Sequence, residues 1–420
     1  MQIHKFGGAS IKDADGVRNL VKVIDSIGTK DSLIVVSAMG KTTNALEKVV
    51  GNFFDNKKEL KSSLQEVKKF HNAILLDLFE SAQTEREHEV FSAIGRLFEE
   101  LEYFLDHNRS PDYNFVYDQV VGYGELISTK IISTYLNNVG INNHWVDVRN
   151  LIKTDNYYRH ARVDWDRTTR NINNRVVKDQ LNIIQGFLGS DSNNFTTTLG
   201  REGSDYTAAI FAYALGAKKV TIWKDVPGVL SADPRYFENA KLINCISYRE
   251  AIELAFYGAS VIHPKTLQPL QRKEIPLFVK SFLEPESEGT RVGKGIKIEP
   301  EIPCYIVKKQ QVLISLSSLD FSYIVEDNIS YIFSLLSKYK MKVDVIQNSA
   351  ISFSVCVDDL YGRLDELLLM LKAKFKVECI KEVSLYTIRH YNQEAIESIE
   401  NEKTVLLKQL TPETVQIVTK

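Results

Sequence analysis

The sequence predicts an α/β fold, a mostly parallel sheet sandwiched by helices, followed by a smaller α+β region. Three observations carry that prediction. Strand-like apolar runs alternate with helical patterns over about the first 280 residues. A stretch at 284–303 (EPESEGTRVGKGIKIEPEIP), rich in Gly, Pro and charge, interrupts the pattern. Beyond it, short strands and helices follow in the order β-α-β-β-α-β. Strands that alternate with helices imply a parallel sheet covered on both faces, and the later order implies a ferredoxin-like unit.

The strand candidates of the first region are 2–6, 33–38, 144–148, 182–186, 219–223 and 277–279, with long charged helices between about 57 and 107. In the second region, strands at 312–316, 342–346, 351–357 and 376–380 surround helices near 327–339 and 360–374. The expected domains are 1–290 and 291–420. The second holds one full unit at about 311–380 plus a shortened second unit in the tail after Val383.

A chain of 420 residues exceeds one ordinary core, so two domains are expected. Apolar residues make up 44% and charged residues 25%, with a formal net charge of -2. That balance gives no broad attraction to nucleic acid or anionic membrane. No apolar run is long enough for a membrane span, and the start MQIHKFGGAS lacks the features of a signal peptide. Cys245, Cys304, Cys356 and Cys379 form no CxxC pair, which argues against zinc and dithiol chemistry. Free thiols in a cytoplasmic, reducing setting are the expectation.

Residues 5–10 (KFGGAS) follow a strand directly. Gly7 and Gly8 allow a backbone to approach a phosphate closely. Lys5 adds a cation and Ser10 a hydroxyl, although an ordinary tight turn reads the same way. The GKT at 40–42 is not a P-loop, because Val35 stands where that motif needs glycine. Ser37 and Thr43 still end a strand and begin a helix, as ligands or as caps. Glu125 lies near a helix start, suited to the helix dipole or to a substrate ammonium. In 196–207 (TTTLGREGSDYT), glycines flank Arg201, and Ser204 and Asp205 open an apolar helix. Arg201 can grip a carboxylate by two parallel hydrogen bonds, and a helix N-terminus favours an anion. In 221–235 (TIWKDVPGVLSADPR), Lys224, Asp225 and Arg235 stand where a nucleotide would lie, or in a solvated turn. Cations, glycine loops and an Arg–Asp pair at strand ends together favour phosphoryl transfer.

These segments resemble the aspartate kinases of the amino-acid kinase family. The resemblance is carried by KFGGAS, by 37–44, by GELIST at 124–129, by QGFLGS at 185–190, by TTTLGREGSDYTA at 196–208, by DVPGVLSADPR at 225–235 and by GASVIHP at 258–264. It implies phosphorylation of the side-chain carboxylate of L-aspartate by ATP with Mg2+, the first step toward lysine, threonine and methionine. By matching position, Lys5 and Asp205 would be catalytic. Lys5, Gly7, Gly8, Ser10, Lys224, Asp225 and Arg235 would bind ATP. Ser37, Thr43, Glu125, Arg201 and Ser204 would hold aspartate. The later region resembles ACT domains, which implies a homodimer or higher homo-oligomer. It also implies an amino-acid effector such as lysine or threonine, with Asp344 and Ser349 as its ligands. The chain departs from the family pattern at Lys224, Ser260, Leu230, Glu202 and Ala350. Lys224 is expected to replace the cation absent at Ser260, with Lys265 as its rival. The competing expectations are another amino-acid kinase, or an amino-acid sensor with a degenerate ATP site.

Overall fold

The computed structural model describes residues 1–79, 85–259, 262–320, 322–401 and 403–420; Ser260 lies outside them. Two compact units form. One comprises Met1–Val229, Leu242–Ile252 and Val261–Ile298, the other Leu230–Lys241, Glu253–Ser260 and Glu299–Lys420. The second unit therefore includes two short segments from before position 290. Among the described residues, no helix is long and apolar enough to cross a membrane.

In chain order, the first part runs β1 (Gln2–Phe6), α1 (Ala14–Ile27), β2 (Ser32–Val36), α2 (Thr42–Asp55), α3 (Lys57–Leu78) and α4 (Glu85–His107). Then come α5 (Tyr113–Val121), α6 (Tyr123–Asn138), β3 (Asn143–Val146), α7 (Trp165–Arg175), β4 (Leu181–Gln185), β5 (Leu188–Ser190) and β6 (Thr196–Thr198). After these follow α8 (Gly203–Leu215), β7 (Lys219–Lys224), β8 (Val229–Leu230), β9 (Leu242–Ile243), β10 (Cys245–Ser247) and α9 (Tyr248–Tyr257). Helix α10 (Pro264–Arg272), β11 (Leu277–Ser281) and β12 (Thr290–Gly293) complete this part.

Among the described residues, eight of these strands form one sheet in the order β10-β12-β11-β7-β1-β2-β4-β3. Every neighbouring pair is parallel except β11 with β12. The composition explains this. Strand β2 reads SLIVV and is buried throughout, as a strand covered on both faces must be. Asp13 caps α1 by accepting from the Gly16 N–H at 2.8 Å, and valine, leucine and isoleucine line its inner face. Helix α8 is buried along most of its length. The central strands β7, β1 and β2 all end on the same side, which in such sheets is the ligand side.

Among the described residues, the second unit is built on a six-stranded sheet of order β14-β15-β13-β16-β18-β17. Its elements are β13 (Cys304–Ser317), α11 (Glu326–Lys338), β14 (Lys342–Asn348), β15 (Ser352–Asp358), α12 (Leu364–Lys372), β16 (Lys376–Arg389), α13 (Gln393–Glu400), β17 (Val405–Leu410) and β18 (Thr414–Thr419). The two central strands are 14 residues each. Each serves both halves of the sheet. Leu313–Ser317 pairs with Lys376–Ile380, and Cys304–Lys308 pairs with Leu385–Arg389. The register shifts between Lys308 and Leu313, beside Gln310 at φ 58° and Glu382 at φ 59°. A shift of this kind bends a strand and moves its side-chain alternation. The tail that reads as trimmed in the sequence thus borrows its missing strand from residues 304–308, ahead of the first ferredoxin-like half.

Candidate active site

Lys5 is the fourth residue of β1, and its ammonium meets Asp205, in the first turn of α8, at 2.6 Å. Lys224, the last residue of β7, approaches the other Asp205 oxygen at 3.7 Å. Two lysines from neighbouring parallel strands thus converge on one buried carboxylate. Burial opposes ionisation of Asp205, but the Lys5 and Lys224 ammonium groups outweigh it and hold the carboxyl below its usual range. The Glu202 carboxyl interacts electrostatically with Asp205. Burial first, and the Asp205 charge second, raise the Glu202 pKa.

Gly8 lies between two loops. A Cβ there would stand 2.7 Å from the carbonyl oxygens of both Ala38 and Gly40. Only glycine allows the first loop to press on the second, and the Gly40 N–H donates to the Gly8 carbonyl at 3.0 Å. A Cβ at Gly186 would come within 2.4 Å of the Ser204 Cβ, so that glycine seats the start of α8 against the end of β4.

These elements enclose a cleft of about 470 Å3 lined by Lys5, Gly8, Ser37, Thr43, Glu125, Arg201 and Ser204, together with Tyr117, Arg159, His160, Thr198 and Glu202. Glu125, in the first turn of α6, is buried. It accepts from the Ala38 N–H at 3.2 Å through one oxygen. Its other oxygen is buried with no partner. Burial pushes its pKa up to about 8 against the pull of the Ala38 N–H and of Lys5. Arg201 is exposed.

The structure therefore brings Lys5, Gly8, Ser37, Thr43, Glu125, Arg201, Ser204 and Asp205 together, with Lys224 at the Asp205 edge. Gly7 adjoins this group and would place a Cβ 3.4 Å from the Lys5 ammonium. Ser10 turns away: its hydroxyl donates to the Trp223 carbonyl at 3.5 Å. Asp225 is exposed in the loop after β7 and does not line the cleft. Arg235 belongs to the second unit and binds Asp233 at 2.6 Å. Lys265 donates to the Leu199 carbonyl at 2.9 Å and lies 4.8 Å over the Tyr206 ring, so of the two rival lysines Lys224 is the one at Asp205. In the second unit, Asp344 binds Lys308 at 2.7 Å and has Lys342 at 3.9 Å. Ser349 is exposed and shares a hydrogen bond with Ser352 at 2.7 Å.

Sequence reasoning missed Tyr117, Asp118, Arg159, His160 and Thr198. One signal was available: Asp118 is a lone carboxylate inside the apolar run FVYDQVV. It is fully buried. Burial pushes it up to about 6 against its hydrogen bonds from Arg159 and Thr198.

The model of the amino acid kinase family matches residues 1–281. The chain belongs to the amino acid kinase family. Within that family it falls among the aspartokinases. Lysine-sensitive aspartokinase 3 of Escherichia coli (strain K12) is 32% identical over 362 residues, covering 85% of this chain and 78% of that protein. The crystal structure of E. coli aspartokinase III with lysine and aspartate in its T-state superposes with a TM-score of 0.84 at 28% identity, covering 100% of this chain and 95% of that one. The same enzyme with aspartate and ADP in its R-state gives 0.79 at 27% identity, covering 100% and 96%. Across eight matched relatives the chain spans 32% to 78% of their lengths. The family match covers most of the first unit together with the two short segments, Leu230–Lys241 and Glu253–Ser260, that belong to the second, and the six-stranded sheet lies beyond the matched residues.

Proposed function

We propose that this amino acid kinase transfers the terminal phosphoryl group of ATP to the side-chain carboxylate of L-aspartate, giving 4-phospho-L-aspartate and ADP. The observation that carries the reading is the assembly of Lys5, Asp205, Glu125 and Arg201 around one cleft. The related E. coli enzyme, seen with aspartate and ADP, supports it. In the reaction a carboxylate oxygen attacks the γ-phosphorus while the bond to the β-phosphate oxygen breaks, and that oxygen leaves on ADP. The attacking group is already ionised at neutral pH, so no base need take a proton from it. Alignment and charge neutralisation supply the catalysis. Lys5, fixed by Asp205, faces the transferring group, and Lys224 adds positive charge beside it. Arg201 holds a carboxylate by its fork of donors. The unpartnered oxygen of Glu125 receives the substrate ammonium.

ATP enters along Gly7 and Gly8, with Asp225 as a further proposed nucleotide contact. Mg2+ accompanies the nucleotide. Among the described residues no group of three or more His, Cys, Asp and Glu stands together to hold a metal, and Asp205 is paired with Lys5 and Lys224, so nucleotide phosphate oxygens and water would supply the shell of such an ion. When bound, it neutralises phosphate charge.

The ACT-type region is proposed to bind an amino-acid effector, lysine or threonine, near Asp344 and Ser349, and to form a homodimer or higher oligomer. The E. coli relative seen with lysine supports an effector of this class. A place in lysine, threonine and methionine synthesis follows from the product. Four free thiols support a cytoplasmic setting.

A coupled ADP assay across a panel of amino acids tests the reading. Aspartate with Mg-ATP is expected to be the best substrate by a wide margin. A preference for glutamate would assign a sibling activity, and no turnover of any acid would leave only the sensor reading.

A further inference from the structure

The cleft holds a second arginine, Arg159, besides Arg201. We infer that Arg159 is a second anchor for a carboxylate of the acidic substrate, acting alongside Arg201, and so a determinant of substrate specificity; the inference rests on the proposed kinase reading of the cleft. Arg159 lines the cavity together with Lys5, Thr43, Glu125, Arg201 and Ser204. Its side chain is held by three weak contacts that a ligand can replace or share, one of them 5.8 Å over the Tyr113 ring. The guanidinium lies 4.3 Å over the Tyr117 ring. It is also 3.5 Å from Glu47, in a pair that is 36% and 45% exposed, and exposed pairs of this kind add little stability. Glu47 stands one turn beyond Thr43 on α2, so the two share a helix face. The Glu47 pair therefore parks the guanidinium beside the cleft-lining Thr43.

The backbone beneath Arg159 is built rather than incidental. Arg159 has φ 68°, a left-handed conformation that disfavours any residue but glycine. The Asp118 carboxylate holds it there by accepting the Arg159 N–H at 3.1 and 3.0 Å. Asp118 is itself fixed by the Thr198 N–H at 2.8 Å and the Thr198 hydroxyl at 2.7 Å. Asp118 is thus a positioning residue for Arg159.

A count of charges shows why a second guanidinium is needed. Aspartate carries two carboxylates and one ammonium. Glu125 offers an open oxygen for the ammonium. Lys5, paired with Asp205 at 2.6 Å, and Lys224 beside it serve the phosphoryl group. Arg201 alone then leaves one carboxylate without a cation, and Arg159 supplies it. A guanidinium stacked on an aromatic ring still presents its donor edge to a carboxylate.

The test is steady-state kinetics of Arg159→Gln, which keeps the stem over Tyr117 and removes the charge, beside Arg159→Lys, which restores a charge. The aspartate KM of Arg159→Gln should rise about ten- to a hundredfold, with kcat and the ATP KM within about twofold, and Arg159→Lys should recover part of the loss. An unchanged aspartate KM overturns the inference. So does a loss spread equally over kcat and ATP binding with a lowered Tm, which would mark a purely structural arginine. Should Arg159→Gln fail to fold, the exposed Glu47→Gln decides: freeing the guanidinium should lower the aspartate KM, and an unchanged value overturns the proposal. Wild-type enzyme that ignores aspartate would fail the proposed function instead, and Arg159 is then read on whichever acid wins the panel.

Discussion

The two units treat charge in opposite ways. In the first, some ionisable groups at the cleft are left open. One Glu125 oxygen is buried without a partner, and Arg201 stands exposed at the cleft. In the second, charges close on one another within the sheet. Lys308 binds Asp344 at 2.7 Å. Buried Arg389 meets Glu413 at 3.1 Å and the Thr414 hydroxyl at 2.7 Å. A buried carboxyl without a full set of partners is costly, so its persistence at a cleft marks a place that a ligand completes. A buried charge with a partner serves the fold. Asp344 falls between the two, because its second oxygen is buried and unpaired.

The strongest way to break the contrast is Lys5→Ala. If the Lys5–Asp205 pair exists for the phosphoryl group, turnover should fall about a thousandfold or more. Lys224 will not substitute, since it already shares Asp205 from 3.7 Å. Steady-state kcat with saturating aspartate and ATP is the measurement. Turnover near wild type would class the pair with the structural ion pairs of the second unit.

Glu125 gives a smaller effect with a sign of its own. Burial raises its pKa from 4.5 to about 8 in the free protein. Between those values the folded state holds more protons than the unfolded state. Glu125 therefore makes stability decline as pH rises through that window, by on the order of a few kcal/mol. The substrate ammonium favours the ionised form, so binding releases a proton, and the aspartate KM should rise about tenfold per unit as pH drops below 8. Glu125→Gln should flatten both trends and raise the aspartate KM at pH 8. Denaturation midpoints and KM across pH 6 to 9 report the two. A KM that ignores pH in the wild type would remove Glu125 from the ammonium role.

Much of the first unit was legible because its signals are local. A strand that runs into glycines, as at Lys5 to Gly8, or a helix that opens on Ser204 and Asp205, declares itself within a few residues. The parallel sheet followed from alternation, and the loops at its strand ends are those the fold brings to one cleft. The sequence could not show Arg159, which depends on Asp118, 41 residues earlier, to hold its backbone. Nor could it show that Cys304–Lys308 pairs with Leu385–Arg389. Strand pairing over such separations is set by tertiary packing rather than by propensity. For the same reason Asp344 reads in sequence as an open effector ligand. Its ammonium partner lies 36 residues upstream, across the neighbouring strands.

That pair offers the finest cut between open and closed charge. Asp344 has a side chain only 6% exposed, and the half-exposed Lys342 at 3.9 Å is its sole other cation nearby among the described residues. Lys308→Met keeps the aliphatic stem and removes the ammonium. Lys342 can move in, so the loss should be at the lower end for a broken buried pair, about 1–3 kcal/mol. The Tm should drop by a few degrees while basal turnover stays within about twofold, since Lys308 belongs to the other unit from Lys5 and Asp205. Adding Asp344→Leu should recover stability, because a buried ion pair replaced by apolar groups is often neutral. If Asp344 also receives an effector amine, Lys308→Met alone should sharpen inhibition by added lysine, as the competing ammonium is gone. A double variant that stays as unstable as Lys308→Met would show that the pair does not behave as a closed unit, and the distinction between the two halves of the molecule would fail at its most closely matched pair.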